Sequence, residues 1–178
     1  MRTLMLVLLF AGMLHAPLHA AEFAKCDLDD AENVREHPSP RVRELFAQLL
    51  KKAGQRPEKF ALCEGWPIIP QIALVETRSG KRVHEVAFPW YVSWYSDDEI
   101  LGIFAHELGH LPIHGAAIGT MRAEKAADSR GARWVGARVV ASGLRALQRD
   151  VHSKMPAHVH AATFKELEVR ARRLEKQR

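Results

Sequence analysis

The stretch from Ser96 to Pro112 carries its own start, stop and burial pattern, and it limits what the rest of the chain can fold around. Ser96-Asp97-Asp98-Glu99 is a capping box: the Ser hydroxyl accepts from the third helical amide, and the Glu carboxylate reaches back to the Ser amide. The three acidic side chains suit the positive end of a helix dipole. Ile100, Ile103, Phe104 and Leu108 then recur at helical spacing. Pro112 bars continuation, because its ring clashes with the preceding turn and it has no N–H. The pattern predicts an amphipathic helix from Asp97 to about His110, with its apolar stripe in the core.

The same helix bears His106-Glu107-Leu108-Gly109-His110. Residues four apart share a helix face about one turn from each other, so His106 and His110 can both reach one metal ion. Glu107 stands beside His106, where it can act on a water at that ion without ligating it. The ion acidifies the water, the carboxylate takes the proton, and the hydroxide attacks a polarised carbonyl. Gly109 leaves room for another backbone to pass close.

A catalytic site of this kind needs a third protein ligand and an open fourth position. Glu124 and Asp128 are four apart at the start of the next predicted helix, on a face that an antiparallel return from Pro112 would lay on the first helix. Glu124 is then the expected third ligand. Asp128 is expected to accept from the distal nitrogen of a ligating His and so fix its tautomer. His114 is the competing ligand, four residues after His110 but beyond Pro112. A metzincin pattern is not met, because Ile113 and Ala116 stand where it needs Gly and His. Two imidazoles, one carboxylate and an open position favour one zinc ion per chain.

Taken together, Ser96 to His110 and Glu124-Lys125-Ala126-Ala127-Asp128 resemble the gluzincin peptidases of the HtpX and CAAX prenyl protease type. The resemblance is specific over about residues 96 to 140. It implies zinc held by His106, His110 and Glu124, with Glu107 as general base. It also implies that substrate binds as an added strand along a sheet edge beside the active-site helix, here near residues 83 to 94, with broad sequence tolerance. Only 13 residues separate His110 from Glu124, which leaves little room for a lid or a membrane hairpin. Ala87-Phe88-Pro89-Trp90 stands where such proteins often carry a glycine-rich strand. The ImmA/IrrE-like metallopeptidases share His-Glu-Leu-Gly-His, but they are typically intracellular, against the export signal described below.

Elsewhere, Ser39-Pro40 supplies an N-cap and a first helical proline, apolar residues follow at Val42, Leu45, Phe46, Leu49, Leu50 and Ala53, and Gly54 stops the helix. Ile72, Leu74 and Val75, a turn at Arg78-Ser79-Gly80-Lys81, and Val83, Val86, Phe88, Tyr91, Val92 and Trp94 predict a hairpin. Pro89 places its second strand at an edge or interrupts it. Thr120 is the expected N-cap of a long helix from Met121 to about Leu147. Thr163-Phe164-Lys165-Glu166 is the expected start of a charged terminal helix with a narrow stripe of Leu167 and Leu174. The expected fold is α+β: one mostly helical, zincin-like domain over 22–178 with a small sheet beside the active-site helix.

Residues 1–21 are expected to be an export signal: Arg2, an apolar run from Leu4 to Leu14, then Ala16, Ala20 and Ala21. The run is shorter than the ~20 apolar residues a membrane span needs, and no later stretch qualifies. Cleavage near Ala20 or Ala21 would release a protein to the periplasm or the exterior; retention as an uncleaved anchor is the other reading. In that compartment Cys26 and Cys63, the two cysteines of the chain, are expected to pair. Lys25 directly before Cys26 speaks against a lipoprotein. The formal charge of +5 is spread through helices and interleaved with Glu, so no nucleic-acid partner is expected.

The functional expectation is a zinc-dependent endopeptidase acting on extended or unfolded polypeptides. A different class fits the same metal ligands: an exported, non-catalytic zinc-binding or chaperone-like protein whose metal holds two helices together. Glu107 separates the two, since a purely structural metal has no use for that carboxylate. Candidates for a second oxyanion donor are Arg133, His152, His158 and His160, although His152 to His160 also reads as a solvent-facing segment.

Overall fold

The computed structural model describes residues 22–26, 35–65, 70–89, 92–112, 120–154 and 157–177. The expected export signal and His114 lie outside the described residues. Among them the architecture is α+β. Five helices run α1 Pro40–Lys52, α2 Asp97–Gly109, α3 Met121–Val135, α4 Ala137–Lys154 and α5 Ala157–Glu175. Four strands, β1 Arg35–Glu36, β2 Phe60–Gly65, β3 Gln71–Glu76 and β4 Arg82–Pro89, form one mixed sheet in the order β1-β2-β4-β3.

The local signals act as chemistry requires. Ser39 caps α1 by accepting from the Val42 amide, and Pro40 opens the helix. In α2 both halves of the capping box are made: Glu99 N–H donates to Ser96 Oγ at 3.3 Å, and Ser96 N–H to Glu99 Oε2 at 2.8 Å. Thr120 caps α3. Phe46 of α1, Phe60 of β2, Phe88 of β4 and Phe104 of α2 are all 0% exposed. Phe104 meets Phe46 at 4.6 Å and Phe88 at 4.5 Å between ring centroids, so aromatic contact seats α2 on both α1 and the sheet.

In one respect α2 departs from the expected amphipathic helix: every residue from Gly102 to Gly109 is buried. Its second face is closed by small residues. A Cβ on Gly102 would stand 2.1 Å from Val139 O of α4, and one on Gly109 would stand 2.4 Å from Ala127 O of α3. With only hydrogens at these positions, α3 and α4 lie directly against the α2 backbone. The result is a central helix, packed on both sides.

Three further boundaries differ from expectation. The helix expected from Met121 to Leu147 breaks at Gly136, whose φ of 93° and ψ of 148° suit only glycine. The terminal helix begins at Ala157, so Thr163 sits inside it and caps nothing; Ala161 and Ala162, strong helix formers, let it extend upstream. The hairpin forms as β3 and β4, and β4 ends at Pro89, but β4 is not an edge. It pairs antiparallel with β3 and parallel with β2, Phe60 lying opposite His84 and Leu62 opposite Val86. The edge beside it is β3. The added-strand position expected near residues 83 to 94 is therefore filled over β4 by the chain's own strands.

Cys26 and Cys63 are joined by a disulfide, with Cα atoms 5.8 Å apart. Ala24 N–H also donates to Phe60 O, so the N-terminal arm is tied to β2 twice. Bridging residues 37 apart removes unfolded-state entropy worth roughly 3 to 4 kcal/mol. The double change Cys26→Ser with Cys63→Ser is expected to lower unfolding free energy by about that amount in urea titrations. Addition of a thiol reductant should bring the wild type down to the same curve and leave the variant where it is. No helix among the described residues is long and apolar enough to cross a membrane.

Candidate metal centre

The centre is built where α3 crosses the buried half of α2. Gly109 and Gly131 bring the two backbones together, a Cβ on Gly131 lying 2.7 Å from Ala105 O. Arg130 of α3 donates to Gly109 O at 2.6 Å, satisfying a terminal carbonyl of α2 and fixing the crossing. This close approach carries Glu124 and Asp128 to His106 and His110.

His106 Nε2 lies 3.2 Å from His110 Nε2 and 3.2 Å from Glu124 Oε2, while His110 Nε2 lies 3.6 Å from Glu124 Oε1. Around a tetrahedral ion with ligand bonds of about 2.0–2.1 Å, neighbouring ligand atoms stand about 3.3 Å apart. The two imidazoles stand at that spacing, each lies near it from one oxygen of Glu124, and the three side chains could hold a metal ion. Their donor set, two imidazole nitrogens and a carboxylate oxygen, is the borderline kind that divalent first-row metals take. Both His side chains are largely buried, at 6% and 10% exposure.

Asp128 is 0% exposed, and its Oδ1 lies 2.9 Å from His106 Nδ1. A carboxylate can only accept here, so Nδ1 carries a proton, and Nε2 is the ring atom that faces His110 and Glu124. His110 has no equivalent support: its Nδ1 is buried without a partner among the described residues. Burial works against a charged His106, yet the hydrogen bonds it donates to Asp128 and Glu124 carry its pKa up to about 9. Burial also opposes ionisation of Glu124 and Asp128, and the neighbouring His106 and Arg170 outweigh it and hold both below their ordinary values. Burial pushes Glu107, 8% exposed, the other way.

One member of this cluster is absent from the sequence expectation. Arg170 of α5, 3% exposed, donates to Asp128 Oδ1 at 2.8 Å and to Asp128 Oδ2 at 3.1 Å. It also lies 2.9 Å from Glu124 Oε2 and 3.4 Å from Glu166 Oε1. Arg173 completes the cradle at 3.1 Å from Asp128 Oδ2. A signal for Arg170 did exist. It falls between Leu167 and Leu174 on the buried stripe of α5, where an unpaired charge would be costly and therefore implies a buried partner.

Among the expected oxyanion donors, Arg133 is exposed and lines a groove at the α3–α4 break with Arg138 and Gln177. The side chains of His152, His158 and His160 lie outside the described residues, as does His114. Comparison of the chain with protein-family models, with characterised proteins and with solved structures found no match.

Proposed function

We propose that this protein is an exported, zinc-dependent endopeptidase that cleaves extended polypeptides. The observation that carries the reading is the grouping of His106, His110 and Glu124, with Glu107 buried next in sequence to the first of them. A structural zinc would leave Glu107 without a task and would be closed by a fourth protein ligand. Among the described residues the grouping has three. Kinship with the HtpX and CAAX prenyl protease type is part of this proposal and rests on the motif and its geometry.

Zinc in this centre would supply Lewis acidity, acidifying a water and polarising the scissile carbonyl. The remaining work belongs to the chain. Asp128 keeps the proton of His106 on Nδ1, and Glu107 takes a proton from the attacking water and returns it to the departing amine. A substrate in extended form would lie along the outer edge of β3, which packs against α2 and has no strand partner there among the described residues. Main-chain pairing along Gln71–Glu76 would accept many sequences. Export is supported by the Cys26–Cys63 bridge, which belongs in an oxidising compartment.

The test is metal-dependent cleavage of an unfolded protein. Chain purified without the first 21 residues, stripped by a chelator and then reloaded with zinc, is expected to cleave casein only in the loaded state. Full zinc occupancy with no cleavage of casein or reduced, unfolded substrates would overturn the reading.

A further inference from the structure

We propose that Arg170 is a positioning residue for the metal centre: it holds Asp128 turned toward His106, and through that carboxylate it sets how tightly the centre grips its metal. The proposal rests on the metal reading of His106, His110 and Glu124. Asp128 is wholly buried, and its two oxygens divide four contacts. Oδ1 accepts from His106 at 2.9 Å and Arg170 Nη2 at 2.8 Å, and Oδ2 from Arg170 Nε and Arg173 Nη2, each at 3.1 Å. The Nε and Nη2 edge of a guanidinium is planar and rigid, so two parallel bonds fix the carboxylate plane as well as its position. Without that edge, Asp128 would be left with one bond to each oxygen, from His106 and from the partly exposed Arg173, and would lose the rigid pair that fixes its plane.

Arg170 also exerts the contrary effect. Its Nη1 is 2.9 Å from Glu124 Oε2, and its Nη2 is 3.2 Å from His106 Nε2, so its positive charge stands close to where a cation would bind. Removing that charge would by itself tighten metal binding. Two features make orientation the larger effect. The guanidinium lies against the carboxylates of Asp128, Glu124 and Glu166, which oppose its field. Its hold on Asp128, by contrast, is direct, and loss of the partners that orient a ligating His costs about 10- to 100-fold in metal affinity.

The experiment is zinc affinity, measured by competition with a chromophoric chelator on the folded, stripped protein. Arg170→Met is expected to bind zinc about 10- to 100-fold more weakly. Arg170→Lys keeps the charge but not the flat edge, and is expected to weaken binding too; it decides the matter if the Met variant does not fold. Asp128→Asn should match Arg170→Met, and the double variant should be no weaker than Asp128→Asn alone, because both changes break one chain of contacts. Unchanged or tighter binding in both Arg170 variants, or full additivity in the double variant, would overturn the proposal. A wild type that binds no zinc removes the metal reading itself, before any variant is made.

Discussion

Glu107→Gln is expected to lower casein cleavage by about 10²- to 10⁴-fold while zinc content and thermal midpoint stay near those of the wild type. The amide has the shape of the carboxylate but cannot take a proton. Glu107 belongs to the buried half of α2, and burial is the foremost cause holding its pKa above the ordinary carboxylate value, with His106 and His110 pulling the other way. A base moved toward neutral is the stronger catalyst at neutral pH. Initial rates and bound metal should be measured on the same preparations. Equal rates in wild type and variant would remove Glu107 from the chemistry and leave the non-catalytic, helix-bridging role for the metal.

The second large effect should come from a single added methyl group, at the crossing of α2 and α3. A Cβ at Gly109 would stand 2.4 Å from Ala127 O and 2.8 Å from Ala127 Cα, both backbone atoms that cannot swing aside. Gly109→Ala must therefore push α3 away from α2. The expected cost is about 1–3 kcal/mol, seen as a thermal midpoint lower by roughly 2–12 °C at ~2–4 °C per kcal/mol for a chain of this size. Because Glu124 and Asp128 ride on α3, zinc affinity should fall with stability. A stable variant with undiminished zinc affinity would show that the crossing does not set the ligand spacing.

What could be read in the sequence follows the range of the interactions concerned. Ser39, Ser96 and Thr120 act on amides three residues away, so their helix starts were legible from the residues themselves. The pairing of His106 with His110 is equally local. Glu124 and Asp128 needed one tertiary assumption, the antiparallel return after Pro112, and their shared helical face made it a small one. The parallel pairing of β2 with β4 has no local signature, because Leu62 and Val86 meet across an intervening strand. Phe60-Ala61-Leu62-Cys63 is also too short a run to declare its partner. Gly136 looked like one more small residue in a continuous apolar pattern, since its backbone angles are not written in periodicity. Thr163 carried a capping signal that helix extension overrode. Arg170 was hidden by composition, being one cation in a helix that also carries Lys165, Arg172 and Arg173.

The bond between Arg170 and Asp128 spans 42 residues of chain. At about 5–20 residues per second, a ribosome would take roughly 2 to 8 seconds to make that interval. Both histidines, Glu124 and Asp128 thus exist for seconds before the cation that steadies Asp128 has been made. A nascent chain stopped in that window has His106, His110, Glu124 and Asp128 but lacks Arg170 and Arg173, the two cations bonded to Asp128. The order of synthesis alone therefore delays these bonds to Asp128 until α5 has been made and folded back.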